Sequence, residues 1–211
     1  MINFTPSTIA ALVIAVSFAA GLNVYATVLT LGLLAHAHWV ELPQGLDILS
    51  QWWVIGTSGV LFAVEFIADK IPGFDMLWNA MHTLIRIPIA ALIAYGATSH
   101  LSPVMQILAT AAGATIALAA HGSKTAVRAV VTPSPEPISN IALSTAEDGV
   151  AIGLTWLVTQ HPWTAATIAA VLTLIAILMT RWVVKTLRRL WGRMAARTSV
   201  LNLDSGKRGS T

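Results

Sequence analysis

Six apolar segments, each about as long as a bilayer is thick, dominate this chain. A hydrocarbon core about 30 Å across takes about 20 residues of helix. Inside it the backbone must satisfy its own hydrogen bonds, which a helix does. The segments run from about Ser7 to Ala37, Trp52 to Ala68, Met76 to Ala97, Val104 to Val131, Ile138 to Thr159 and Trp163 to Leu190. The expected fold is therefore all-α, a polytopic membrane bundle of about six transmembrane helices. Only 10% of the residues are charged, against roughly 25% in an ordinary soluble domain. One bundle over residues 1–192 is the simplest division, followed at 193–211 by a basic tail expected to be disordered and cytoplasmic.

Cysteine is absent, which removes disulfides and thiolate metal sites. No Lys or Arg precedes the first apolar run, so that run reads as a retained helix rather than a signal peptide. Of the twelve Lys and Arg residues, those at Arg181, Lys185, Arg188, Arg189, Arg193, Arg197, Lys207 and Arg208 form a basic C-terminal cluster. Such a cluster next to a membrane faces anionic lipid headgroups. It contains no nucleic-acid-binding module, and no nucleic-acid partner is expected. The loops at Glu41–Gln51, Thr98–Pro103 and Gln160–Pro162 carry no Lys or Arg. The positive-inside rule then predicts both termini on the cytoplasmic side of a bacterial inner membrane. Trp39, Trp52, Trp53, Trp156 and Trp163 fall near the predicted outer boundary, and Trp78, Trp182 and Trp191 near the inner one, as an aromatic belt requires.

The first segment is long for one span, and Gly21-Leu22-Asn23-Val24-Tyr25 interrupts it. It can be a broken helix exposing backbone polar groups at a binding site. The plainer reading makes Gly21 a close-packing point and Asn23 an interhelical hydrogen-bonding group. Pro88 falls inside the third segment and should kink it just beyond Arg86.

Charge enters the oily sequence in two hairpins, 65–86 and 121–148. Each turns at a Pro-containing loop and continues into a helix opened by Asn. In the first, Asn79, His82, Thr83 and Arg86 share a face; in the second, Asn140, Ser144 and Glu147 do, with Asp148 beside them. On the preceding helices Glu65 and Asp69 share a face, as do His121, Lys124 and Arg128. The correspondence suggests a parallel repeat of two helical hairpins. At 1.5 Å per residue, Arg86 lies about 15 Å inside the membrane, with Glu147 and Lys124 about 10–14 Å inside. Ionisable groups at that depth pair with one another or line a wet cavity. The expected pairs are Arg86 with Glu147 or Asp148, and Lys124 or Arg128 with Glu65 or Asp69.

The runs ADKIPGFDMLWNAMHTLIR and TPSPEPISNIALSTAED, with the early GLNVYA, resemble an uncharacterised bacterial and plastid membrane family, domain-of-unknown-function family 4126. The resemblance extends from the first helix to the sixth and leaves out the basic tail. It marks Gly21, Asn23, Tyr25, Glu65, Asp69, Lys70, Pro72, His82, Thr83, Arg86, Lys124, Arg128, Pro135, Glu136, Pro137, Asn140, Glu147 and Asp148. It implies a shared fold and polar centre, and no activity.

These residues support transport or permeation of a small polar or ionic solute as the expected function, with the intramembrane charges lining its pathway. The candidate pathway residues are Asn23, Tyr25, Glu65, Asp69, Lys70, Asn79, His82, Arg86, His121, Lys124, Arg128, Glu136, Asn140, Ser144, Glu147 and Asp148. A structural ion-pair lattice that fixes helix register is the competing explanation. A metal site or other cofactor is not expected: there is no HExxH or ExxH pairing, and the bases nearly balance the acids. A lipid-modifying enzyme would need Ser134, Ser139, Ser144 or Thr145 as nucleophile, yet no G-x-S-x-G elbow is present. A non-catalytic scaffold is the third possibility, and the chain could form a homo-oligomer.

Overall fold

The computed structural model describes the backbone at residues 5–71, 74–131 and 137–208, and the side chains there except at 74–77, 79–80, 129–131, 137, 139–140 and 190–208. Among the described residues every regular element is helical. The α-helices are α1 (Pro6–Leu22), α2 (Val24–His36), α3 (Trp52–Ala68), α4 (Phe74–Ala97), α5 (Pro103–Val131), α6 (Pro137–Gln160) and α7 (Pro162–Arg208), with a 3₁₀ turn at Gln44–Ser50. Proline opens four of them, at Pro6, Pro103, Pro137 and Pro162, where its missing N–H would have had no partner. The protein is an all-α helical membrane bundle. Helices α5, α6 and α7 are long and apolar enough to cross a bilayer by themselves. The 3₁₀ turn and α3 qualify together, bent by 65°.

All six expected segments are present, but the first is split. Asn23 is extended (φ −148°, ψ 103°), and its side chain takes over as the cap of α2, its Oδ1 accepting from the Ala26 N–H at 2.9 Å. The chain then turns back. Ser17 of α1 lies against Gly113 of α5, and Gly21 against Ala117 and Ala120, so α1 runs parallel to α5. Helix α2 runs the other way: Tyr25 meets His82 of α4, while Gly32 reaches Leu49 and Ile55 and His36 bonds Ser50. The start of α1 and the end of α2 therefore share one end of the bundle. That end also holds the 3₁₀ turn and the end of α4, where the Gly45 and Gly96 backbones touch with no room for a Cβ on either. Pro6 sits at the end where α5 and α7 begin, and α7 runs to the other, because the Asn23 break returns the first segment to the face it entered.

Burial follows from this. Helix α1 is apolar all round, and it packs against α4, α5, α6 and α7, with every residue from Ala15 to Leu22 buried. A helix without a polar face belongs in the centre. The outer helices turn Leu84, Leu92, Ile107, Leu108 and Leu174 outward, an apolar surface suited to lipid tails. The two charged hairpins are splayed: α3 scarcely touches α4, and α5 scarcely touches α6, while α4 and α5 pack along their lengths. Helix α4 stays continuous through Pro88. The α7 backbone stays helical to Arg208, through residues expected to be a disordered tail. Ala, Leu and Arg recur there, and all favour helix.

Candidate functional site: a buried charged centre at a helix break

The centre is assembled from five helices. Arg86 (α4), Lys124 and Arg128 (α5), Glu65 and Asp69 (α3), and Glu147 and Asp148 (α6) are all under 9% exposed. Asn23, at the α1–α2 break, is 0% exposed. Face sharing explains the convergence, since Glu65 and Asp69 are one helical turn apart, as are Lys124 and Arg128.

Lys124 is the hub. Its Nζ donates to Asp69 Oδ2 at 2.7 Å and to the Leu22 carbonyl at 3.4 Å. It also lies 3.2 Å from Glu147 Oε2 and 3.8 Å from Glu65 Oε1. Arg128 bridges two helices, its Nη2 donating to Asp69 Oδ2 at 3.1 Å and to Glu147 Oε2 at 3.0 Å. Arg86 Nη2 donates to Glu65 Oε1. The expected pairing of Arg86 with Glu147 or Asp148 is thus corrected to Glu65. Lys124 on α5 meets the α6 carboxylate Glu147, and Arg86 meets Glu65. The expected pairing of Lys124 and Arg128 with the α3 carboxylates is present.

The hydrogen bonds settle the state of one histidine. Arg86 Nη1 and His121 Nδ1 are 3.0 Å apart. A guanidinium only donates, so His121 Nδ1 accepts and the proton is on Nε2, which donates to Thr83 Oγ1 at 2.6 Å. His121 is therefore neutral, a spacer between α4 and α5 rather than a fourth cation. His82 donates from Nδ1 to the Trp78 carbonyl at 2.8 Å and meets Tyr25 edge-on, 5.7 Å between ring centres.

The break in the first segment is electrically matched to its neighbours. A helix C-terminus carries partial negative charge and an N-terminus partial positive charge. The Leu22 carbonyl, at the end of α1, accepts from the Lys124 ammonium. The start of α2 faces a carboxylate, with Asn23 Nδ2 donating to Asp148 Oδ1 at 2.8 Å. Gly21 also does what the plainer reading asks, since its missing Cβ admits the backbone of α5 at Ala117. Break and close contact occur together.

Of the candidate pathway residues, the structure brings together Asn23, Glu65, Asp69, Arg86, His121, Lys124, Arg128, Glu147 and Asp148, with Tyr25 and His82 adjoining. Lys70 turns away, its Nζ bonded to the Phe66 carbonyl at 2.9 Å and lying 3.0 Å above the Phe66 ring. Ser144 is buried, and its hydroxyl has no partner among the described residues. Glu136 and the side chains of Asn79 and Asn140 lie outside the described residues. The Leu22 carbonyl was not foreseen as a ligand; the same interruption that flagged Asn23 is the signal for it. Among the described residues no group of acidic and His side chains converges as a metal site would. An apolar groove of about 230 Å³ between α2, α3 and α4 is lined by Tyr25, Val28, Trp53, Ser58, Leu61 and Ile89, so its wall includes Tyr25, one residue from the broken-helix ends.

Fold and site together define a multi-pass helical membrane protein with a buried ion-pair centre at a broken helix. The chain belongs to the family described as Domain of unknown function (DUF4126), which matches residues 10–182. No curated protein and no solved structure matches it.

Proposed function

We propose that the protein moves a small polar or ionic solute across a bacterial inner membrane, using the charged centre as its gate. One observation carries this reading. Seven charged side chains are buried beside a helix break, and broken helices with exposed backbone groups serve ion and substrate sites in transporters. A lattice built only for stability gains little from so many charges, because apolar replacements of buried ion pairs are often neutral or stabilising.

The three cations are each held by carboxylates, so opening exchanges internal pairs for the solute and its water. The basic C-terminal end of α7 sets the cytoplasmic side, and the start of α1 then lies on the outer side. The basic residues Arg181, Lys185, Arg188 and Arg189, which line a groove on α7, would meet anionic headgroups there.

Purified protein in liposomes tests the reading. Charge-dependent solute flux, abolished by Arg86→Gln or Glu147→Gln, is the expected result. Absence of flux with turnover of the liposome lipid would instead assign a lipid-modifying enzyme. Absence of both, with a partner protein retained on purification, would assign a scaffold.

A further inference from the structure

We propose that Asp148 is the seat of one exchangeable positive charge, a proton or an alkali-metal ion. The inference goes beyond the transport reading and does not depend on it.

The first observation is the imbalance of charge. Among the described residues the buried centre holds four carboxylates (Glu65, Asp69, Glu147, Asp148) against three cations (Arg86, Lys124, Arg128). His121 is neutral by its hydrogen bonds, and His82 donates from Nδ1 to a carbonyl. Lys70 is engaged at its own helix end. A surplus charge buried in an apolar bundle is costly, and such groups neutralise rather than remain ionised.

The second observation locates the surplus. Glu65, Asp69 and Glu147 each have a cation within 4.0 Å. Asp148 has no salt bridge among the described residues. Its Oδ1 accepts from Asn23, whose amide is neutral. Its Oδ2 is buried with no partner among the described residues, in a residue only 4% exposed.

The surroundings favour a single added positive charge. Asp148 accepts from Asn23 at the start of α2, lies in the field of Lys124 on α5 and of Asp69 and Lys70 just past the end of α3, and stands beside Glu147 on its own helix. Glu65, whose charge Asp148 feels, also has a buried oxygen, Oε2, with no partner among the described residues. His82, Arg86, His121, Arg128 and Tyr25 complete the charged and titratable shell. A proton on Asp148 Oδ2 makes the centre three against three. An alkali-metal ion held at Asp148 Oδ2 does the same.

The test combines infrared spectroscopy with thermal unfolding, on the full chain in lipid nanodiscs at neutral pH, in sodium chloride and in choline chloride. The expected wild-type spectrum has a protonated carboxylic-acid carbonyl band that shifts in D2O and is lost in Asp148→Asn. A band present in both salts identifies the proton as occupant. A band present in choline and lost in sodium identifies a site that exchanges the two. Asp148→Asn mimics the neutral acid and keeps the bond to Asn23, so its Tm should stay near wild type while Asp69→Asn falls. A band absent in both salts overturns the proposal, as does one that persists in Asp148→Asn. Failure of Asp148→Asn to fold, or a Tm loss equal to that of Asp69→Asn, also overturns it.

Discussion

At the scale of single residues, the centre behaves as a set of mutual obligations. Glu65 and Arg86 are both fully buried. Removing one charge takes away the other's opposite charge at this contact, and breaking a buried pair in this way typically costs about 3–5 kcal/mol. Glu65→Gln should therefore lower stability by about that amount in detergent unfolding. The double variant Glu65→Leu/Arg86→Met should recover most of the loss, because neither charge then remains without its partner. A double variant no better than the single would refute the pairing. Asn23 has a different duty, since it caps α2 and holds Asp148 with the same amide. Asn23→Ala removes both contacts and should cost more than the roughly 1 kcal/mol of a lost cap alone; thermal unfolding beside Asn23→Asp, which can still cap, measures the difference.

At the scale of elements, the close contact between α1 and α5 positions everything below it. A Cβ at Gly21 would stand 2.5 Å from the Ala117 carbonyl oxygen, and backbone cannot step aside as a side chain can. Gly21→Val should destabilise by about 1–3 kcal/mol or more, the range for overpacking. It should also loosen the Asn23–Asp148 bond, read as faster hydrogen exchange at Ala26. How much of this was legible in the sequence divides along one line. Helical periodicity told which residues share a face: Glu65 with Asp69, Lys124 with Arg128. Periodicity does not tell which helix that face meets. Depth counted along each helix suggested Arg86 opposite Glu147, but Lys124 and Arg128 of α5 engage Glu147 instead. The interruption at Gly21–Asn23 was visible in the letters. Its consequence was not, because one extended residue can bend or reverse a chain, and only the contacts on both sides of it, Ser17 and Gly21 on α1 and Gly32 and His36 on α2, decide between them.

At the scale of the whole molecule, the returning first segment changes the parity of the fold. Five helices, α3 to α7, run from one end to the other, and the α1–α2 pair enters and leaves at the same end. The start of α1 and the far end of α7 are then at opposite ends of the bundle. The chain has no cysteine, so single cysteines can be introduced without background. A membrane-impermeant maleimide applied to intact cells should label Ser7→Cys, which is exposed, and spare Lys185→Cys until the cells are opened. Equal labelling of both, or protection of both, would contradict this arrangement. The composition made the membrane class plain. Parity depended on a single backbone conformation, which neither composition nor hydropathy reports.

The last helix has a mechanical side. Helix α7 has 47 residues, which at 1.5 Å each makes a rod about 70 Å long. The stretch suited to a bilayer ends at Arg189, and the helical backbone of residues 190–208 continues it as a post of about 30 Å. Whatever meets the far end is held at arm's length from the charged centre, and any tilt there reaches the bundle through the face that α7 shares with α1 and α5.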